Sequence, residues 1–588
     1  MLIQRLPEDL VNKIAAGEVV ERPASAVKEL VENSLDAGAT SVLVEIEGGG
    51  RSLIRVRDDG CGMGREDAQL ALERHATSKL RTWPDLQAIA THGFRGEALP
   101  SIASVSELSL WTRDEAGPAG TEVQVRHGRL VHVRDAGHPR GTTVEVRDLF
   151  GAVPARRKFL RSDSTEVGHV AEAVALLALA RPQTGFVLSS GSREVLQTPP
   201  VDGLAARLYQ IYGGAFLEEL LPVEDGHEWA QVRGFVSRPD RPTASRAALR
   251  LFVNGRAVRD RALAKAVLEG YRGAGVSEPR PEAFLFLEVP LAMVDVKVHP
   301  AKTEVRFADS RTVWQAVQGS VRRALGSGAR RQAPRADTSR IQEAAEGYLA
   351  LGAEAPSRSL GDPGLERARA EGGLALPVAE GPALEADRWP ADVPTVLGQH
   401  RNTYIVASDG EDLILIDQHT AHERVRFEGL LERLERRAVE SQILLAPLVV
   451  TLPPELRPVF ESHGGGLTAM GFEAEGFGGG SVRVRAVPAL LGARDPGRAL
   501  QALLLDLLER ESSDWIVSSS RDRLAATLAC HSSVRAGQSL AVQEMAAIVR
   551  DLAQTAHPTL CPHGRPTIVR VPKEDVTRWF GRTGWRRQ

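Results

Sequence analysis

RPASAVKELVENSLDAGAT, Arg22 to Thr40, is the stretch whose reading decides the fold. Pro23 opens a helix, because its missing N–H falls where a first turn has no acceptor to satisfy, and Gly38 stands just past the end. Val27, Leu30, Val31 and Leu35 recur at helical spacing and make the buried stripe. Glu29, Asn33 and Asp36 fall together on another face at spacings of four and three. A carboxylate one turn from an amide can hold a hydrated cation and orient a water; a solvated helix face is the plain alternative. Downstream, LIRVRDDGCGMG (Leu53–Gly64) reads as an alternating strand that ends in Asp58, Asp59 and glycines. Such a turn lets a buried carboxylate meet a ligand amine while the backbone comes close. THGFRGEALPSIASV (Thr91–Val105) then sets Gly93 and Gly96 before an apolar helix start, a suitable cradle of N–H groups for phosphates, although many glycine-rich loops are plain turns.

The whole chain bounds these readings. Its 588 residues exceed one core, so two to four domains are expected. Composition is 43% hydrophobic and 25% charged, ordinary for a globular protein. No uninterrupted apolar run is long enough to span a membrane, and MLIQRLPEDLVNK (Met1–Lys13) carries acids where a secretory leader needs an apolar core. A cytoplasmic protein is expected, with no membrane partner. Three cysteines, Cys61, Cys530 and Cys561, exclude a disulfide framework and favour free thiols or metal ligands. Net charge is −3, so any nucleic-acid binding must come from local patches. Between Gly326 and Asp392 the chain is rich in Ala, Pro, Gly and charge, and reads as a flexible linker. Such a tether would span on the order of 40 to 50 Å.

Six motifs in order, ELVENSLDAGA, DDGCG, RHATSK, GFRGEAL, GTTVEV and PARRKFL, resemble the MutL family of DNA mismatch repair proteins, within the ATPase class of gyrase, heat-shock chaperones and histidine kinases. The resemblance runs over most of residues 1 to 325. It implies an α+β multidomain protein: an N-terminal α/β-sandwich ATPase domain (1–210), a second α/β subdomain like ribosomal protein S5 (211–325), the linker (326–392) and a C-terminal α/β dimerisation and endonuclease domain (393–588). By motif it makes Glu29 the general base for ATP hydrolysis and Asn33 the holder of Mg2+. Asp58 would accept from the adenine amino group, with Gly60 and Gly62 shaping the pocket and Thr143 supporting the adenine side. Thr77, Ser78, Lys79, Arg95, Gly96, Glu97, Ala98 and Leu99 would form the lid and phosphate contacts. Lys302, after the His-Pro turn of MVDVKVHPAKTEVRF, would reach the γ-phosphate; a solvated loop lysine is the alternative. One departure is Asp59, where bacterial relatives usually carry Asn.

The second cluster begins at LILIDQHTAHERVRFE, Leu413 to Glu428. A strand stopping at Asp417 and a helix starting at Gln418 or His419 set His419 and Glu423 one turn apart, with Asp417 as the cap. LACHSSVRAG offers Cys530 and His531, and CPHGRP offers Cys561 and His563. Thiolate with imidazole favours zinc, and carboxylates tolerate Mn2+ or Mg2+, so two ions fit. Either cysteine alone would more often be a buried hydrophobe. The set resembles the nuclease form of MutL, whose D-Q-H-A-x-x-E-x-x-x-x-E pattern appears here with Thr420 in place of Ala. The resemblance implies metal-dependent DNA nicking, with Asp417 and Glu423 catalytic and Asp417, His419, Glu423, Cys530, Cys561 and His563 as ligands. Glu428 is a further candidate, while His422 falls on the wrong helical face.

Arg156 and Arg157, with Lys158 and Arg161, and Arg256, Arg259 and Arg261, with Lys265, form two basic clusters without base-reading motifs. They are expected to touch DNA phosphates with little sequence preference, Arg261 first among them by resemblance; a solvated charged face is the alternative. QILLAP resembles the peptide by which such proteins dock the replication sliding clamp, through Gln442, Leu444 and Pro447. The resemblance further implies a homodimer, MutS as a partner, and a bacterial cytoplasmic protein at the nucleoid when active. Two other functions share parts of the pattern: a non-nicking, ATP-dependent matchmaker with structural zinc, and a topoisomerase or sensor kinase with the same ATPase module. The C-terminal motifs fit neither of the latter.

Overall fold

The computed structural model describes residues 19–80, 82, 91–93, 95–274 apart from 228 and 240–247, 276, 280–295, 305–331, 389–390, 392–436, 439–492, 495–509, 520–534 and 537–580. The N-terminal sheet has eight strands in the order β5-β4-β3-β6-β2-β1-β7-β8. They are β1 (Ser41–Glu47), β2 (Leu53–Asp58), β3 (Glu107–Arg113), β4 (Gly120–Arg126), β5 (Arg129–Ala136), β6 (Gly141–Arg147), β7 (Gly185–Ser190) and β8 (Arg193–Thr198). Neighbours run antiparallel except β1 with β7. The helices Pro23–Asp36 and Asp163–Ala180 pack against each other, and the former lies along β2. Val27, Leu30 and Val31 from the first join Val42, Val44, Ile46, Ile54 and Val56 in one apolar core, as the helical and two-residue periods demand.

That alternation carries the chemistry. Ile54 and Val56 point inward from β2, so Asp58, the next residue in the same series, is also driven inside, whereas Arg57 and Asp59 face out.

The second sheet is five-stranded, β12-β11-β13-β10-β9, built from β9 (Leu220–His227), β10 (Ala230–Ser237), β11 (Ala248–Val253), β12 (Arg256–Val258) and β13 (Glu282–Glu288). β11 and β13 are parallel, and the chain between them forms the β12 hairpin and the helix Arg261–Arg272. Phe252, Phe284 and Phe286 belong to the same core as Val174, Leu188 and Leu208 of the first domain, with the Phe252 and Phe286 rings stacked at 4.2 Å. Burial of these rings fastens the two units together. A short ladder of β14 (Val294–Asp295) with β15 (Arg306–Phe307) brackets a stretch that includes Lys302, which lies outside the described residues. The helix Ser310–Arg331 runs past Gly326, where the tether was expected to begin; beyond it the expected tether lies almost wholly outside the described residues.

The C-terminal region holds two sheets. β16 (Thr395–His400), β17 (Tyr404–Ser408), β18 (Leu413–Asp417) and β22 (Ile568–Val571) pair in that order, and β19 (Ser441–Thr451), β20 (Glu473–Gly478) and β21 (Ser481–Pro488) pair as β19-β21-β20. Each sheet has its own core, one around Ile405, Ile414 and Ile416, the other around Val450, Val482 and Val484. The helix Gln418–Glu435 serves both, giving Ala421 to the first and Phe427 and Leu430 to the second. The whole is the α+β multidomain arrangement expected from the sequence. Among the described residues no helix is long and apolar enough to cross a membrane.

Candidate functional site

Asp58 is 8% exposed beneath the helix Pro23–Asp36. It accepts from the Ser34 hydroxyl at 2.7 Å, the Gly60 N–H at 3.0 Å and the Thr142 N–H at 3.2 Å. Burial pushes its carboxyl above the usual range, against those donors, which favour the charged form. Neither Ser34 nor Thr142 was singled out in the sequence: Ser34 looks like a break in an apolar stripe, and Thr142 acts through its main chain. Thr143, expected on the adenine side, pairs through its hydroxyl with His138 Nε2 at 2.9 Å. Asp59 faces the other way and accepts from the N–H groups of Thr40 at 2.8 Å and Ser41 at 2.9 Å. Partial burial raises its carboxyl, but a bond from the Thr40 hydroxyl and then these N–H bonds outweigh that and hold it below the usual range. The extra charge is thus satisfied at the start of β1. At Gly62, with φ +68°, an added Cβ would stand 1.9 Å from Arg113 O, so only glycine lets the two backbones meet; at Gly60 it would stand 2.9 Å from Ala37 Cβ.

Glu29 is buried on the same helix, 7% exposed, and Asn33 lies one turn on. Lys79 Nζ donates to Asn33 Oδ1 at 2.8 Å and to Asp36 Oδ2 at 2.6 Å, and Thr77 Oγ1 accepts from the Lys79 N–H at 3.2 Å. The structure therefore brings Asn33, Lys79 and, through Asp36, Gly93 to one place: the His92 and Gly93 N–H groups each donate to Asp36 at 2.9 Å. Gly96, at φ +65°, would press a Cβ to 2.5 Å from Ala76 O. Glu97 immediately precedes the short helix that Ala98 and Leu99 begin, and its carboxylate meets His75 at 2.8 Å. Ser78 and Arg95 lie in the loops flanking this cluster, while Phe94 and residues 83–90 are outside the described residues.

The second site assembles from separate segments. Asp417 is the N-cap of the helix Gln418–Glu435, its Oδ1 accepting from the N–H groups of His419 at 2.9 Å and Thr420 at 3.0 Å. One turn on, His419 and Glu423 join Cys530, from the end of the helix Ser520–Ser532, in one group of donor atoms within 4.8 Å of one another; Glu423, Cys561 and His563 form another. Glu423 is common to both. Asp417, expected among the ligands, belongs to neither group; its Oδ1 is engaged in capping. Val534 O can only accept, so the 2.9 Å contact puts the His419 proton on Nδ1 and leaves Nε2 facing Cys530 Sγ at 3.9 Å. Glu423 is 2% exposed and meets His563 Nδ1 at 2.7 Å. Burial would raise its carboxyl, yet His563 and the charges of His419 outweigh burial and hold it below the usual range. Burial and the Glu423 charge push the Cys561 thiol up to about 11. The CPHG loop is held by the Cys561 N–H on Arg565 O at 2.8 Å and by Arg424 Nε on Leu560 O at 2.5 Å. Glu428 accepts from the Ala556 N–H at 2.6 Å and His422 Nδ1 from the Val534 N–H at 3.0 Å, both away from the donor groups. His531 pairs with Asp506 at 3.1 Å.

Of the basic residues, Arg157, Arg259, Arg261 and Lys265 are exposed, although Arg157 meets Asp148 at 2.6 Å and Arg259 meets Glu172 at 3.7 Å. Arg156 reaches back to Val20 O at 3.2 Å. Arg256 does not fit the expected DNA contact: it is 8% exposed, and its guanidinium donates to the carbonyls of Thr91 and His92. Gln442, Leu444 and Pro447 lie on the edge strand β19, whose pairing with β21 shifts between Ile443 and Leu448. Ile443 and Leu445 project there, 79% and 110% exposed.

Comparison with known proteins adds the following. Residues 21–127 match the family described as histidine kinase-, DNA gyrase B- and HSP90-like ATPase, residues 208–326 that described as DNA mismatch repair protein, C-terminal domain, and residues 397–540 that described as MutL C terminal dimerisation domain. The DNA mismatch repair protein MutL of Anaeromyxobacter sp. (strain K) is 46% identical over 604 residues, covering 99% of each chain. That of Geobacter sulfurreducens is 41% identical over 614 residues, again covering 99% of each. A solved structure, the Aquifex aeolicus MutL ATPase domain complexed with ADP, is 30% identical, covers 51% of this chain and 98% of its own, and has a TM-score of 0.37.

Proposed function

The chain belongs to the MutL family of DNA mismatch repair proteins, and from that premise we propose that it is a homodimeric, ATP-gated DNA clamp whose C-terminal region nicks DNA with bound metal ions. The N-terminal region is an ATPase domain, and the match to the dimerisation domain supports a homodimer. In the proposed cycle the Asp58 carboxylate receives the adenine amino group, and Glu29 orients the water that attacks the γ-phosphate and takes its proton. Asn33 would hold Mg2+, which neutralises phosphate charge when bound. For that, Lys79 must leave the Asn33 amide oxygen. Lys302 would contact the γ-phosphate, and the exposed Arg157, Arg259 and Arg261 would follow DNA phosphates, with Arg156 at their edge.

For the C-terminal region, the carrying observation is that buried Glu423 is shared by His419 with Cys530 on one side and by Cys561 with His563 on the other. Thiol, imidazole and carboxylate donors in that arrangement fit Zn2+ or Mn2+, and a shared carboxylate suits a pair of ions. A bound ion would supply an activated water and stabilise the leaving 3′ oxygen of a phosphodiester. The chain's own part is to aim the donors: Val534 O fixes the His419 tautomer, and the capped helix fixes the spacing of His419 and Glu423. The test is nicking of supercoiled plasmid with Mn2+ by the full chain, beside Glu423→Gln and Asp417→Asn. Asn at position 417 keeps the cap, since its amide oxygen accepts the same N–H groups, so loss of nicking at unchanged melting assigns the charge to the reaction. Retained nicking in both variants would sink the nuclease reading.

The burial of Cys561 and Glu423 favours a second reading, structural zinc in a matchmaker that does not cut. Bound zinc in the full chain with no nicking under any divalent ion would support it. Exposed Ile443 and Leu445 beside Gln442, Leu444 and Pro447 support docking of the sliding clamp at β19; MutS partnership and a cytoplasmic, nucleoid-associated site of action follow from the family and stand with this proposal.

A further inference from the structure

Arg256 is carried by the second sheet, yet its charge acts on the first domain. Asn254 and Gly255, at φ +48° and +78°, make the two-residue turn between β11 and β12. Asn254 ties that turn to the residue just past β13, accepting from the Val289 N–H at 2.9 Å and donating to Val289 O at 3.0 Å. From this braced turn Arg256 donates Nη1 to His92 O at 3.2 Å and Nη2 to Thr91 O. Each of those carbonyls belongs to a peptide unit whose N–H, on His92 or Gly93, donates to Asp36. Two successive peptides are therefore held at both ends, by a guanidinium on their oxygens and a carboxylate on their N–H groups, and each such bond polarises the next. Gly93 is set so close to Lys79 and Asn33 that an added Cβ would stand 2.7 Å from Lys79 Nζ and 3.2 Å from Asn33 Oδ1. Arg181 completes the enclosure at 3.2 Å from His92 Nε2. Burial and the neighbouring guanidinium charges hold the imidazole neutral, so that nitrogen can accept.

We propose that Arg256 is a positioning residue for ATP turnover, through which the placement of the second subdomain sets Gly93 against Asn33 at the phosphate end of the nucleotide site. This rests on the nucleotide reading above. In steady-state hydrolysis by the full chain, Arg256→Ala should raise KM for ATP about tenfold, the scale of a lost pair of charge-assisted hydrogen bonds only partly replaced by water. Arg256→Lys should fall between, because one ammonium cannot serve both carbonyls in the same plane. DNA affinity at fixed salt should stay within twofold in both variants, unlike a phosphate-contacting arginine. An unchanged KM and kcat in folded Arg256→Ala, or a loss of DNA affinity with ATP kinetics intact, would overturn the assignment. If Arg256→Ala fails to fold, Arg256→Lys decides: folded with raised KM supports the role, and folded with unaltered kinetics overturns it. Absence of hydrolysis by the unaltered chain would instead defeat the nucleotide reading itself, a result separate from an unmoved KM in a variant.

Discussion

At Asp58 one period of two explains both structure and chemistry. A strand that buries Ile54 and Val56 must bury Asp58, and a buried carboxylate ringed by N–H and O–H donors is an acceptor waiting for another donor. Asp58→Asn should turn an amide NH2 toward one of those donors and weaken nucleotide binding by roughly ten- to a hundredfold, measured by calorimetry. Asp59→Asn should change stability by no more than about 0.5 kcal/mol, because an amide oxygen still accepts from Thr40 and Ser41 and the site is exposed. His92 and His169 behave oppositely to a paired histidine: burial first, then nearby guanidinium charges, lower them to about 4 and about 3. An unfolded imidazole binds a proton near pH 6.5 while these folded ones refuse it, so stability is complete above that pH and falls on acidification until the folded values are reached. The melting temperature should therefore decline below about pH 6.5, and His169→Asn should flatten that decline; an unchanged slope would count against it. Glu29, Asn33 and Asp58 were legible because local period and motif order determine where they point. The Ser34 and Thr142 partners were not, since one is a helical hydroxyl with no signature and the other is a main-chain donor.

Among elements, the start of the helix Gln418–Glu435 was readable to within one residue, because an apolar strand ending in Asp supplies the side-chain acceptor that a helix N-terminus needs. Asp417→Ala should cost about 1 kcal/mol of stability and Asp417→Asn little, a contrast that chemical denaturation can resolve. Gly62→Ala is expected to cost at least about 2 kcal/mol, since both its φ and its contact with Arg113 O forbid a side chain; a smaller loss would mean that β3 yields. Cys530 and the Cys561–His563 pair were found as neighbours in sequence, but their convergence on Glu423 depends on how helix and loop pack. Arg256 shows the converse limit. In VNGRAVRDR every arginine looks alike, and only the tertiary partner of the hairpin separates the buried one from Arg259 and Arg261.

Over the whole molecule, a net charge of −3 means that the proposed contact with DNA would be made by a face and not by the body. Arg261 stands exposed at the first position of its helix, where a cation opposes the macrodipole, so an anion beside it relieves an existing electrostatic conflict. Arg261→Glu should weaken DNA binding and lower the slope of log affinity against log salt by about one, with ATP hydrolysis in the absence of DNA unaltered. The shared aromatic core of the first two units was beyond sequence reading, because Phe252 and Phe284 carry no mark of which sheet they will cover. In the C-terminal region, β19 keeps pace with β21 up to Ile443 and resumes at Leu448 opposite Val484, so the intervening residues leave the ladder while both their ends stay anchored. A segment presented in this way is already extended between two anchored ends. A protein that docked there, as proposed, would be spared most of the disorder-to-order cost that a free tail would impose, and the segment could drift in composition without disturbing the hydrogen-bonded ribbon that displays it.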